Sequence, residues 1–60
     1  MLESLIINVL SEASRPLAPE EIAAMLPDIK PATIRQSLRR SVKKGSIAFD
    51  GKTHRRYFIP

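Results

Sequence analysis

The chain has 60 residues, a net charge of +4 and no cysteine. This length allows one small domain, and the lack of cysteine excludes a disulfide framework or a cysteine-based zinc site as its source of stability. No apolar run reaches the ~18 residues of a membrane span, and the N-terminus lacks the features of a signal peptide. We therefore expect a cytoplasmic protein.

Charge is distributed unevenly along the chain. Residues 1–29 carry one cation against five acids, a net charge of −4, whereas residues 30–60 carry nine cations against Asp50 alone, a net charge of +8. This asymmetry indicates a positively charged face, with nucleic acid as the leading partner and an acidic membrane or protein surface behind it. A solvated basic surface without a partner is the alternative interpretation.

Helical periodicity predicts two helices in the acidic half. Apolar residues recur with a 3.6-residue period over residues 2–13, in a stripe that leaves Ile7 outside. Two prolines then interrupt the helix, and Pro19 is well placed to begin a second helix over residues 19–26, with two acids in its first turn. Leu17 lies between these prolines, and we expect it to anchor a short extended segment onto the C-terminal part of the chain.

A third, basic helix is predicted over residues 31–44, beginning at a proline and ending before Gly45. Aliphatic residues spaced by four occupy one face, and Arg, Lys, Gln, Thr and Ala cover the other, with no acid anywhere in residues 30–49. A helix kept soluble by charge normally intersperses acids with bases. The uncompensated repulsion therefore favours an interpretation in which phosphates approach this face.

After the third helix the apolar period changes from 3.6 to 2, which predicts a β-hairpin over residues 46–59. A five-residue loop, 51–55, would set Phe49 opposite Tyr57. A loop with an even number of residues would instead turn an arginine inward and bury its charge. We therefore expect the odd loop, which leaves Phe58 on the outer face.

The elements in this order resemble the winged helix-turn-helix family of DNA-binding domains. The resemblance rests on "LAPEEIAAML" around the second helix, "KPATIRQSLRRSVKKGSI" around the third and "RRYFI" at the end of the hairpin, and it covers essentially the whole chain. It implies a mainly α fold with a small β-hairpin (α+β), in which a three-helix core and a wing form a single domain over residues 1–60.

Apolar positions of the predicted elements define the expected core. These residues are Leu5, Ile6, Val9, Leu10, Leu17, Ile22, Leu26, Ile29, Ile34, Leu38, Val42, Ile47, Phe49, Tyr57 and Ile59. Ile7 and Phe58 fall outside their elements' predicted buried faces. Isolated exposed apolar residues are common, but a core this small is equally consistent with a homodimer whose interface includes these two side chains.

The resemblance implies that the third helix enters the major groove of double-stranded DNA and that the wing contacts the backbone or the minor groove. Arg and Gln can read guanine and adenine edges, and Ala and Thr can contact a thymine methyl. The candidate DNA-binding residues are Lys30, Ala32, Thr33, Arg35, Gln36, Arg39, Arg40, Lys43, Lys44, Lys52, His54, Arg55 and Arg56. Among them, Lys43 and Lys44 are expected at the backbone, and Arg40 could contact either bases or backbone. A polar hairpin tip without a ligand is the alternative for the last four, and His54 is expected to be solvated rather than metal-bound.

An enzyme is disfavoured because the sequence has no cysteine nucleophile, no glycine-rich phosphate loop and no cluster of histidine and carboxylates. We expect no cofactor, no metal, no small-molecule ligand and no membrane partner. The leading hypothesis is sequence-specific binding of double-stranded DNA by a transcriptional regulator associated with DNA or the nucleoid. The alternative is a protein–protein interaction module, or an accessory subunit of a replication or transcription assembly. Members of the family that recognise left-handed or single-stranded forms typically have a Pro-Pro-Trp-like wing and an exposed aromatic on the third helix. This chain has neither tryptophan nor a tyrosine in its third helix, so the resemblance disfavours that variant.

Overall fold

In the computed structural model, which describes residues 2–60, three helices precede a two-stranded antiparallel sheet. The elements are α1 (Leu2–Ala13), α2 (Pro19–Met25), α3 (Pro31–Lys44), β1 (Ala48–Asp50) and β2 (Arg56–Phe58). The predicted fold class, a three-helix core with a small hairpin, is confirmed. Among residues 2–60, no helix combines the length and the apolar character needed to cross a membrane.

Prolines begin both α2 and α3. Pro19 and Pro31 each occupy the first helical turn, and the residue before each, Ala18 or Lys30, has an extended backbone. Proline suits this position because its missing N–H would have no helical partner there. The Glu21 carboxylate accepts a 2.8 Å hydrogen bond from the Ala18 amide, which satisfies one free donor at the start of α2.

Both helices end through a change in backbone conformation. The helical part of α2 ends at Met25, one residue earlier than expected, because Leu26 leaves the helix with φ −129° and ψ 64°. After α3, Gly45 adopts the left-handed conformation with φ 87°, and its amide donates to the carbonyls of Ser41 and Val42. Glycine reaches this region without the steric cost of a Cβ atom, so it can turn the chain from α3 into the hairpin.

The hairpin has the register that the sequence predicts. Phe49 pairs with Tyr57, and residues 51–55 form the loop between the strands. Leu17 adds an isolated antiparallel bridge to Tyr57, through amide-to-carbonyl hydrogen bonds of 2.9 and 2.8 Å in the two directions. The expectation that Leu17 anchors the segment between α1 and α2 onto the C-terminal part of the chain is confirmed.

The core lies where the three helices and the base of the hairpin meet. Its buried apolar residues are Ile6, Leu10, Leu17, Ile22, Ile34, Leu38, Ile47 and Tyr57, all of which the sequence predicts. Val9, Leu26, Ile29 and Val42 are half-buried and pack against this cluster. Full burial of a large aliphatic side chain contributes about 1.5–3 kcal/mol, so these residues are the main source of folding free energy.

Three predicted core residues are instead exposed. Leu5 is 46% exposed, Phe49 40% and Ile59 39%. The buried stripe of α1 is narrower than the periodicity suggests and centres on Ile6 and Leu10, which leaves Leu5 beyond its edge. Phe49 stands towards the hairpin tip, and Ile59 follows the end of β2, so both lie at the margin of a core that a short chain can only partly cover.

Ile7 and Phe58 also depart from their predicted environments. Ile7 is half-buried and packs against the core, so its expected place outside the buried face of α1 is wrong. Phe58 is half-buried as well, and lines a shallow cavity of about 360 Å³ between the end of α1 and the hairpin. Because part of each side chain is already covered within one chain, their exposure gives little support to a dimer interface, and the homodimer remains a hypothesis.

Candidate nucleic-acid interface

The face of α3 that points away from the core carries most of the candidate residues. The buried residues of the helix, Ile34, Leu38 and Ser41, form its inner side. All 13 candidate DNA-binding residues are exposed, both those of α3 and those of the hairpin loop and β2. The structure thus presents these side chains to solvent, while their contact with DNA remains a prediction.

One flank of α3 faces the hairpin and is called here the wing-side flank; it consists of Arg35 and Arg39 of α3 together with Phe49 and Arg55 of the hairpin. These residues surround a cavity of about 240 Å³, with Val42 and Tyr57 among the other lining residues. No acidic side chain of the described residues lines this cavity. The cavity therefore brings three guanidinium groups next to the apolar side chains of Val42, Phe49 and Tyr57.

Phe49 and Arg55 contact each other directly within the wing-side flank. The guanidinium carbon of Arg55 lies 4.8 Å from the centroid of the Phe49 ring, a cation–π contact. The Phe49 ring is tilted by 51° against that of Tyr57, with 5.9 Å between centroids. These contacts hold the exposed aromatic ring and the arginine of the hairpin loop beside α3.

The opposite flank of α3 faces α1 and is called here the α1-side flank; its exposed residues are Thr33, Gln36, Arg40 and Lys44. They line a groove of about 300 Å³ together with Leu2 and Glu3 of α1. The Glu3 carboxylate accepts a 3.1 Å hydrogen bond from the Lys44 ammonium and a 3.0 Å bond from the hydroxyl of Ser41, which is 1% exposed. These bonds, that from Lys44 first, lower the pKa of Glu3 below its ordinary value of 4.5.

The pairing with Glu3 corrects one sequence-based expectation. The sequence places no acid within residues 30–49, but Glu3 of α1 compensates Lys44 across the helix interface. An exposed ion pair of this kind contributes only about 0–1 kcal/mol to stability. It does, however, reduce the positive charge that Lys44 offers to a phosphate.

The remaining candidates of the hairpin lie around a cavity that adjoins the wing-side flank. Lys52, His54 and Arg56 line this cavity of about 470 Å³ together with Arg55, which belongs to both cavities, and with Glu20 of α2. Arg56 adds to the lowering of the pKa of Glu21, after the hydrogen bonds from the Ala18 amide and from Arg15. No cluster of potential metal ligands occurs in the part of the chain that the structure describes, residues 2–60.

Sequence reasoning assigned Phe49 to the core and gave no role to Glu3 or Ser41. The hairpin register does contain a signal for the Phe49–Arg55 contact, because residues 55 and 57 share a face in an extended strand and Tyr57 pairs with Phe49. Glu3 has no such signal. It lies 38 residues from Ser41 and 41 from Lys44, and periodicity describes faces of one element without saying which residue of another element covers them.

Comparisons with known protein families and with curated proteins find no match for this chain. A solved structure from work on the DNA recognition and protein interaction domains of HOP2, and on its homologous DNA pairing properties, does match. The TM-score is 0.88, the identity is 19%, and the match covers 100% of both chains. Likeness at this identity shows a shared fold, so the chain has a winged-helix fold, as the sequence resemblance implies.

Proposed function

We propose that this chain is a non-enzymatic module that binds double-stranded DNA in a sequence-specific manner and acts in transcriptional regulation. In this proposal α3 enters the major groove, α2 braces it across the backbone, and the hairpin contacts the backbone or the adjacent minor groove. The observation that carries the proposal is the outer face of α3, where exposed basic side chains stand without acids of their own helix.

The charge on this face is largely available to a ligand. Within residues 2–60, the ion pairs are Arg15–Glu21 and Lys44–Glu3, and neither involves Arg35, Arg39 or Arg40. Like charges on one helix face destabilise the helix slightly, and phosphates would remove that repulsion. The free cations therefore favour a polyanionic partner over a merely solvated surface.

The size and side chains of α3 also suit the major groove. Its 14 residues extend over about 21 Å, and an α-helix with its side chains fits a groove about 12 Å wide. Gln36 and Arg39 are exposed about one turn apart, and both types of side chain can form bidentate hydrogen bonds with base edges. The winged-helix neighbour from the work on HOP2 supports a role in DNA recognition by analogy of fold.

Selection of bound duplexes from a random pool at physiological salt tests the proposal. We expect an enriched motif, and about five phosphate contacts would give a slope of log affinity against log salt near −4 to −5. Gln36→Ala should relax the base preference at one position of that motif, at a cost of about 1–3 kcal/mol on the preferred site. A protein that enriches no motif and binds no duplex would refute sequence-specific DNA binding.

A protein–protein interaction module, or an accessory subunit of a larger assembly, is the second candidate function. It is favoured by large apolar side chains exposed away from α3, namely Leu5 (46% exposed), Met25 (60%) and Ile59 (39%). Apolar surface of this kind is found at protein interfaces, although single exposed residues are also common on monomers. A partner captured by the intact chain and lost on Leu5→Ser or Met25→Ser would support this candidate, whereas α3 variants would leave such binding unchanged.

A further inference from the structure

The cavity of the wing-side flank combines two chemistries that the binding of a regular duplex does not require together. Arg35, Arg39 and Arg55 supply guanidinium donors, and Phe49, which is 40% exposed, supplies a flat apolar ring in the same cavity. Exposure of a large aromatic ring to water costs free energy. Among the described residues, the only aromatic neighbour of Phe49 is Tyr57, whose ring is tilted by 51° against it. A ligand that binds to both the guanidinium groups and the aromatic ring must therefore carry a negative charge and a flat ring.

We propose that Phe49 and Arg55 form a stacking site for one unpaired nucleobase, at the edge of the duplex bound by α3. Unpaired nucleotides match the site because their bases stack on aromatic rings and on guanidinium planes, while their phosphates accept hydrogen bonds from arginine. Arg35 binds a phosphate that flanks the unpaired nucleotide, while Arg39 keeps its role at the base edges of the duplex. This inference rests on the proposed binding of double-stranded DNA through α3 and adds a preference for duplex ends, bulges or junctions.

Volume and charge are consistent with this occupant. The cavity of about 240 Å³ is open to solvent on the outer side, because Phe49, Arg35, Arg39 and Arg55 are all exposed. No acid of the described residues lines it, and Glu20 is the acid of the adjoining cavities, one of which includes Arg35 and the other Arg55. The Arg55 guanidinium already lies over the Phe49 ring at 4.8 Å, so the base stacks on the uncovered part of the ring or on the outer face of the guanidinium, and the two groups are held together before the base arrives.

The test compares three DNA probes that share one duplex sequence: a blunt duplex, the same duplex with a short single-stranded overhang, and that overhang with abasic sites. Fluorescence anisotropy with the intact chain should show about tenfold tighter binding to the base-carrying overhang than to the blunt duplex. The abasic overhang should bind like the blunt duplex, because it retains the phosphates but not the base. Equal affinity for the abasic and the base-carrying overhang would mean that only phosphates bind, and would overturn the stacking site.

Variants at two aromatic positions provide matched controls. Phe49→Leu keeps an apolar side chain but should abolish the preference for the overhang, measured as the ratio of overhang to blunt-duplex affinity, and Phe49→Tyr should restore that ratio. Phe58→Leu removes the half-buried aromatic of β2, which lies outside the cavity, and should leave the preference intact. Thermal unfolding followed by circular dichroism verifies that each variant is folded.

A base analogue provides a readout that does not depend on affinity. 2-Aminopurine placed in the overhang should lose fluorescence when it stacks in the wild-type complex, and should keep it in the Phe49→Leu complex. If the wild type binds blunt duplex but shows neither the preference nor the fluorescence change, this inference fails and the proposed function stands. If the wild type binds no duplex at all, the proposed function fails first, and the inference with it.

Discussion

The two flanks of α3 belong to one basic helix but differ in what faces them. On the wing-side flank, Arg35 and Arg39 face an exposed aromatic ring and a further arginine, without an acid. On the α1-side flank, Lys44 is paired with Glu3, whose carboxylate also holds the buried hydroxyl of Ser41. The charge counted along the sequence therefore differs from the charge that the folded protein offers to a ligand. Within the described part of the chain, the arginines of the wing-side flank have no acidic partner, whereas Lys44 of the α1-side flank partly links α3 to α1.

The largest expected effect is the loss of DNA affinity when the wing-side flank loses its arginines. Arg35→Ala with Arg39→Ala should reduce affinity about 10- to 100-fold at fixed salt and lower the salt slope by about 1, because one phosphate contact and one base contact are lost. Lys44→Ala is the control on the other flank and should cost less than about threefold, since Glu3 already compensates its charge. Anisotropy titrations over a range of salt measure both quantities. Equal losses in the two variants would remove the distinction between the flanks.

The second expected effect concerns stability, because the α1-side flank includes a hydrogen bond between α3 and α1. Ser41→Ala removes the hydrogen bond from the buried hydroxyl to Glu3, and Ser37→Ala is its control at a half-buried position on the same helix. Both substitutions replace serine by alanine within a helix and gain the same helix propensity. The difference between their free energies of unfolding therefore reports the contribution of the hydrogen bond. Urea unfolding should show Ser41→Ala less stable than Ser37→Ala by about 1 kcal/mol. Identical midpoints would show that the bond between α1 and α3 adds nothing to stability.

Removing the acid of the α1-side flank should strengthen DNA binding. Glu3→Gln keeps a hydrogen-bond acceptor for Ser41 but frees the charge of Lys44, and affinity should rise about two- to threefold at low salt. Glu12→Gln makes the same charge change on the exposed side near the end of α1 and should have a smaller effect. The gain should vanish at high salt. An unchanged affinity in Glu3→Gln would indicate that Lys44 lies too far from the DNA to matter.

The smallest effect is the dependence of stability on acidic pH. The pKa values of Glu3 and Glu21 are lowered below 4.5, mainly by the hydrogen bonds from Lys44 and from the Ala18 amide respectively. A carboxyl group whose pKa is lower in the folded protein stabilises the fold when ionised. This contribution is therefore complete above the unfolded-chain value of 4.5 and is lost as the pH falls through the lower folded values.

Unfolding midpoints measured at several acidic pH values test this dependence. Wild-type stability should decline below pH 4.5, and Glu3→Gln combined with Glu21→Gln should flatten the decline, because both lowered carboxyl groups are gone. The variant Glu12→Gln with Glu20→Gln makes the same change in net charge at exposed positions and should keep the wild-type profile. An equally steep decline in both double variants would assign the acid sensitivity to other groups.

The sequence predicts the fold class and most of the core because these depend on local periods. A 3.6-residue period, prolines at helix starts and Gly45 after α3 describe the helices, and the odd loop predicts the pairing of Phe49 with Tyr57. Periodicity does not indicate how far the core reaches. Leu5 and Ile59 satisfy their patterns but lie at its margin, whereas Ile7 fails its pattern and is half-buried.

The candidate site was only partly accessible from sequence for a related reason. Residue type and helical face identify Arg35 and Arg39 as candidates, and the structure shows both exposed. Contacts between distant elements carry no local pattern, so the Glu3–Lys44 pair was missed. Strand alternation and hairpin register predict that Phe49 faces inward, but they do not indicate whether the core extends far enough to cover its ring.

The bridge between Leu17 and Tyr57 has a consequence for protein synthesis. Its two hydrogen bonds join segments on either side of α2 and α3, so the turn before α2 gains its partner only once β2 exists. While the chain emerges from the ribosome, Leu17 therefore lacks its backbone partner until β2 is translated. We expect the segment between α1 and α2 to become ordered only after the hairpin has formed.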